Sequence, residues 1–250
     1  MSALAGKCIL VTGAARRVGA AIARRLHADG ADIVIHCRTN LAEARSLATM
    51  LNAGRDGSAA VVRQDLADTA ALPGLIDAAI GNFGRLDALV NNASSFFPTP
   101  LQTLTEEQWD DLAASNLKAP LFLSRAAAPE LRRRSGAIVN LVDIHAERPL
   151  RDHAAYCAAK AGLVGLTRAL ALDLAPEVRV NGVAPGPIEW PDAPGSGIAP
   201  QEQARILATT PLAREGGAEA IAETVHFLIA SASFVTGQIV NVDGGRSVHL

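Results

Sequence analysis

The sequence predicts a doubly wound α/β domain built on a mostly parallel seven-stranded sheet. Two observations carry that prediction. Short apolar runs alternate with helix-length segments along the whole chain, the pattern of strands covered on both faces. Hydrophobic residues make up 49% of the 250-residue chain and charged residues 19%, enough to bury a sizeable core.

The expected strands, in order, are Lys7–Thr12, Asp32–His36, Ala59–Arg63, Asp87–Asn91, Ala137–Val142, Arg179–Ala184 and Gln238–Val242. Ala- and Leu-rich stretches with helical spacing lie between them, among them Val18–Asp29 and Ala154–Ala175. No linker or repeat interrupts the series, so residues 1–250 are expected to form a single domain. The Pro- and Gly-rich stretch Pro185–Pro200 is the largest irregular segment. It is expected to open a substrate loop over about 185–210; the alternative is a disordered surface insertion.

The first strand runs into Thr12-Gly13-Ala14-Ala15-Arg16-Arg17-Val18-Gly19. Gly13 permits the tight turn and Gly19 close helix packing. The helix start then offers free N–H groups to a pyrophosphate. Arg17 stands where a glycine often sits, and the second strand ends in Arg38 and Thr39 with no carboxylate to hold a ribose hydroxyl. That charge pattern favours a 2′-phosphate, hence NADPH, unless both arginines are simply solvated.

Tyr156 is the only tyrosine, and Lys160 follows four residues later on the same helical face. The nearby cation is expected to favour the phenolate and make Tyr156 a better proton donor. Without a site around it, the pair would be an exposed helix contact of little energetic value.

Thr12-Gly13…Gly19, Asn91-Asn92-Ala93, Asn116, Tyr156…Lys160 and Pro185-Gly186 together resemble the short-chain dehydrogenase/reductase family over nearly the entire chain. The resemblance implies a Rossmann-type fold, commonly assembled as a homotetramer. It implies that Asn116 shapes a water relay near Lys160, that Asp65 and Leu66 flank the adenine, that Asn92 and Ala93 line the cofactor with Val18 in the phosphate turn, and that Pro185 and Gly186 lie by the nicotinamide.

Two departures narrow the reading. Asp143 stands thirteen residues before Tyr156, where the family usually has serine. A carboxyl group there can pass a proton with Tyr156 to a ring nitrogen, which requires a raised pKa; otherwise it is a solvated or helix-capping aspartate. Phe96 and Phe97 adjoin in a loop of a chain only 4% aromatic. One ring, Phe96, can stack on a flat heteroaromatic substrate, unless both plug the core. With Ser94, these residues look like the pteridine reductase subgroup, which implies a pterin held between Phe96 and the nicotinamide, Ser94 contacting both, and protons from Asp143 and Tyr156. Trp190 is a further candidate pocket wall.

The resulting expectation is NADPH-dependent reduction of a dihydropteridine, with dihydrofolate as a further candidate. A carbonyl reductase of the same family and a noncatalytic NADP-binding sensor are the alternatives. The net charge of −2 gives no reason to expect nucleic acid, and the basic run Arg132–Arg134 suits a helix C-terminus. Cys8, Cys37 and Cys157 are scattered and lack metal-ligand spacing, as do His145 and His153. Reduced thiols, no apolar run of membrane-spanning length and no leader pattern lead to the expectation of a cytoplasmic protein.

Overall fold

The computed structural model describes residues 2–190 and 198–249. The elements in chain order are β1 (Cys8–Val11), α1 (Arg17–Ala28), β2 (Asp32–Cys37), α2 (Leu41–Gly54), β3 (Ala59–Arg63), α3 (Leu72–Phe83), β4 (Ala88–Asn91), α4 (Glu106–Ala113), α5 (Ala119–Arg134), β5 (Ala137–Leu141), α6 (Ala154–Asp173), β6 (Arg179–Pro185), α7 (Pro200–Ala208), α8 (Gly217–Ala230), β7 (Ile239–Val242) and α9 (Arg246–His249). The strands form one sheet in the order β3-β2-β1-β4-β5-β6-β7. Every pairing is parallel. The expected fold class therefore holds, and "mostly parallel" sharpens to parallel throughout.

The period of two in each strand explains the layers. Ile9 and Val11 of β1 pack with α1, α2 and α8 in one core, whereas Cys8 and Leu10 pack with α3, α5 and α6 in the other. Alternate residues thus face opposite helical layers, and burial on both faces is why the strands read as continuous apolar runs. Order reverses between β1 and β4, which opens a crevice at the carboxyl ends of the strands.

Local signals set the helix ends. Thr105 caps α4 through a reciprocal box with Gln108. Pro73 sits in the first turn of α3, and Gly84 closes it in the left-handed region. The Arg132–Arg134 run ends α5 and is used within the chain: Arg133 and Arg134 pair with the buried Glu130, and Arg132 donates to the Asp173 carbonyl. The expected loop at 185–210 needs correction, because α7 occupies Pro200–Ala208. A proline in the first turn followed by Gln, Glu, Ala and Leu favours that helix. Residues 191–197 of the expected loop lie outside the described residues. Among the described residues, no helix is long and apolar enough to cross a membrane. Cys8, Cys37 and Cys157 are free and buried, and burial pushes the Cys8 thiol up to about 12.

Candidate active site

A cleft of about 1060 Å³ follows the carboxyl edge of the sheet, from Arg38 and Thr39 at the tip of β2 to α7. Gly13, Arg17, Val18, Gly19, Asp65, Leu66, Asn92, Ala93, Ser94, Phe96, Asp143, Tyr156, Lys160, Pro185 and Gly186 all border it. Asn116 lies just behind, buried.

The turn between β1 and α1 is held from three sides. Thr12 Oγ1 accepts the backbone N–H groups of Asn92 (2.9 Å) and Ala93 (3.0 Å), while Asn92 Nδ2 donates to the Thr12 carbonyl at 2.8 Å. His36 accepts the Gly13 N–H at Nδ1 (3.1 Å) and contacts the Gln64 carbonyl through Nε2 at 3.0 Å. Burial lowers the His36 pKa, which keeps the neutral ring that can accept at one nitrogen and donate at the other. At Gly19 an added Cβ would stand 2.4 Å from the Gly13 carbonyl oxygen and 2.6 Å from Asn92 Nδ2, so only glycine fits.

The α1 N-terminus has no side-chain cap and no acidic residue in its first turn. Its unpaired N–H groups and positive dipole end therefore face the cleft, a chemical match to a pyrophosphate. Arg38 and Thr39 border the cleft at the tip of β2, and Arg63 is fixed beside them by donating to the Arg38 carbonyl at 3.0 Å. Arg17 has φ of 52°, the glycine-like conformation its place in the turn suggested. Its guanidinium is turned to Glu189, at 3.1 Å, and to the carbonyls of Glu189 and Trp190.

The candidate reactive groups come from two places, the turn after β5 and helix α6. Asp143 follows β5 and caps the short 3-10 turn Ile144–Ala146: its Oδ1 accepts the His145 N–H at 2.8 Å. Its Oδ2 accepts the Tyr156 hydroxyl at 2.7 Å. Capping and contact with tyrosine, alternatives in the sequence, are both true, one oxygen each. Lys160 is buried one turn after Tyr156; its Nζ donates to the Leu141 carbonyl at 2.8 Å and lies 5.7 Å from the Tyr156 ring centroid.

The electrostatics correct one expectation. Burial first, then the Asp143 charge and hydrogen bond, raise the Tyr156 pKa well above its ordinary value. Burial lowers Lys160 from 10.5 to about 8. Desolvation outweighs the cation that was expected to favour the phenolate, so Tyr156 is held as a protonated donor.

Asn116 sits in a π-helical segment, Ala114–Lys118, between α4 and α5. Its Oδ1 accepts the Ser94 hydroxyl at 2.6 Å and its Nδ2 donates to the Ser95 carbonyl at 2.9 Å. It thus ties down the loop that carries Phe96. That ring is 38% exposed, stacks on His153 at 4.8 Å and meets Tyr156 edge-on at 4.8 Å. Phe97 packs inward with Leu112, Tyr156 and Cys157. The two phenylalanines are divided, Phe96 bordering the cleft and Phe97 packed partly buried against the core. Trp190 borders the cleft and donates its Nε1 to Glu215.

Sequence reasoning passed over His36, Arg63 and Arg246, a buried residue beyond β7 that also borders the cleft. Their only signal was position at the carboxyl end of a strand, shared by many residues without a role.

Comparisons with known proteins agree with this geometry. A family model described as Enoyl-(Acyl carrier protein) reductase matches residues 13–247. The chain is 38% identical to pteridine reductase 1 of Leishmania tarentolae, over 96% of each chain. It is 36% identical to a 3-oxoacyl-[acyl-carrier-protein] reductase of Staphylococcus aureus, over 96% of this chain and 97% of that one. A solved Sinorhizobium meliloti structure, described as a short-chain alcohol dehydrogenase, superposes with a TM-score of 0.93 at 33% identity, covering 99% of this chain and 98% of that one. Matched in sequence and fold along nearly its full length, the chain belongs to the short-chain dehydrogenase/reductase family of oxidoreductases.

Proposed function

We propose that the protein is an NADPH-dependent pteridine reductase that converts a dihydropteridine to the tetrahydro form. Reductases of this family use nicotinamide cofactors. The pterin and 3-oxoacyl relatives are similarly distant, so the residues of the site distinguish the two substrates. The observation that carries the reading is the Tyr156–Asp143 hydrogen bond beside the half-exposed Phe96 ring.

The choice between a carbonyl and a ring C=N follows from charge. Reduction of a carbonyl builds negative charge on oxygen, and a hydroxyl donor stabilises it. Both oxygens of Asp143 instead accept hydrogen bonds, so its carboxylate repels a developing oxyanion. The same carboxylate favours a ring nitrogen that is gaining a proton and positive charge.

Bound NADPH supplies the hydride. Its pyrophosphate would be held by the α1 N-terminus, and its 2′-phosphate by Arg38 and Thr39; Arg17, expected at that phosphate, is instead held at Glu189, on the β6 side of the cleft. Asp65 and Leu66 would flank the adenine, and Asn92, Ala93, Pro185 and Gly186 would wall the cofactor. Phe96 covers the flat substrate and Ser94 contacts its edge. Tyr156 gives its proton to the ring nitrogen, and Lys160 offsets the charge left on the phenolate. Asn116 acts through the Ser94 loop that it holds. The chain would act as one domain in a cytoplasmic homotetramer. Exposed Trp109 on α4 and Leu172 on α6 offer apolar surface for the assembly.

Replacing Asp143 with the serine usual in the family tests the reading. Asp143→Ser is expected to lower kcat for dihydrobiopterin by about a hundredfold or more, the scale of one lost acid–base partner. Unchanged turnover would remove Asp143 from the mechanism.

A further inference from the structure

The far end of the cleft holds a buried cation that the reaction above does not use. Strand order places the groups across the site: Arg38 after β2, the phosphate turn after β1, Phe96 after β4, Asp143 after β5, Gly186 after β6 and Arg246 after β7. A dinucleotide reaching from β2 to the nicotinamide wall at β5–β6 leaves the β7 end to whatever extends from the substrate.

Arg246 is only 9% exposed and borders the cleft. The chain is built to bring it there: Gly245, at φ of 85°, lies against Pro211, and Gly186 approaches so closely that an added Cβ would meet Asp243 Cβ at 2.5 Å. Arg246 Nη1 donates to the Ile206 carbonyl (3.0 Å) and to Thr209 Oγ1 (2.7 Å) at the end of α7.

Among the described residues, Arg246 has no carboxylate within 4.0 Å. The nearby acids are committed elsewhere. Asp243 accepts the N–H groups of Gly245 (2.9 Å) and Ser247 (2.7 Å), and Glu202 pairs with Arg205 at 2.7 Å. Buried charges are normally paired. Among the described residues, two neutral acceptors on one nitrogen leave most of a five-donor guanidinium unpaired at the cleft wall.

We propose that Arg246 anchors an anionic tail on the substrate, a carboxylate or a phosphate borne by the side chain of the pterin. The inference rests on the pterin reading. It makes this chain selective among pterins by the charge at the end of the molecule distant from the reacting ring. A planar guanidinium suits either anion, because its paired N–H groups match two oxygens at once.

The test compares kcat/KM for dihydrofolate, dihydroneopterin phosphate and the neutral dihydrobiopterin, in the unaltered protein, Arg246→Gln and Arg246→Lys. The unaltered protein is expected to favour at least one anion-tailed substrate, and the preferred one identifies the anion. Arg246→Gln keeps a donor for the Ile206 carbonyl and is expected to reduce the anionic-to-neutral ratio at least about tenfold, mainly through KM. Arg246→Lys is expected to keep only part of the ratio, because the charge remains and the paired N–H groups are lost. The ratio is independent of the fraction of active enzyme, so a variant that folds poorly still gives an answer.

A role confined to holding α7 would change all three substrates by one factor, and an unaltered ratio would overturn the proposal. No preference for either anionic substrate in the unaltered protein would also overturn it. Failure of the unaltered protein to reduce any of the three would instead overturn the pterin reading, and this inference with it.

Discussion

Tyr156→Phe is expected to lower dihydropterin turnover by about 10²–10⁴-fold, the range for a lost general acid. The substitution removes one oxygen and keeps a ring packed against Leu112, Ala155 and Cys157. The hydroxyl is the only donor to Asp143 Oδ2 among the described residues, so its loss breaks the pair proposed to supply the proton. NADPH binding, measured by fluorescence titration, is expected to change little, because the α1 turn and the Arg38 end are untouched. Near-normal turnover in the variant would mean that the proton comes from elsewhere.

Lys160→Met is expected to separate stability from activity. Folding takes Lys160 from an ordinary pKa of 10.5 to about 8 by burying its ammonium. Below about pH 8 the folded and unfolded states both carry the charge, and folding bears the whole burial cost. Between pH 8 and 10.5 the folded state has released a proton that the unfolded state retains, so stability rises with pH. The shift corresponds to about 3 kcal/mol, and loss of the bond to the Leu141 carbonyl returns about 1 kcal/mol. In cofactor-free urea unfolding, Lys160→Met is therefore expected to be about 2 kcal/mol more stable at pH 7. That gain should shrink above pH 8, while pterin turnover falls by at least about a hundredfold. A variant less stable than the parent at pH 7 would mean that attraction to Asp143 and the bond to the Leu141 carbonyl together outweigh the burial cost.

The fold was legible because it depends on short-range pattern. β3 occupies Ala59–Arg63, as expected, and the other strands moved by no more than a residue at either end. Periodicity reads such runs directly, since alternate residues of a parallel strand enter two different cores. α7 was not legible, because the prolines around it outweighed a short run of helix formers.

The site was legible where the chemistry is carried by neighbours in sequence. Tyr156, Lys160 and Asp143 meet within one strand-turn-helix unit. The Arg17–Glu189 pair joins residues 172 apart, and no local pattern announces it. The balance between the Lys160 charge and the cost of burying it was likewise hidden. Spacing places two side chains on one face, but only packing decides how much water they lose. His36 was invisible for a related reason: a histidine among apolar strand residues reads as core until Gly13 is seen to donate to it.

The most direct test of the pterin assignment is a competition of substrates at fixed NADPH, following cofactor oxidation with dihydrobiopterin and with an acetoacetyl thioester. The charge arrangement around Asp143 predicts a kcat/KM at least about a hundredfold higher for the pterin, the discrimination available when buried polar groups match one substrate and oppose the other. Preference for the thioester would contradict the account and return the protein to the carbonyl reductases of its family.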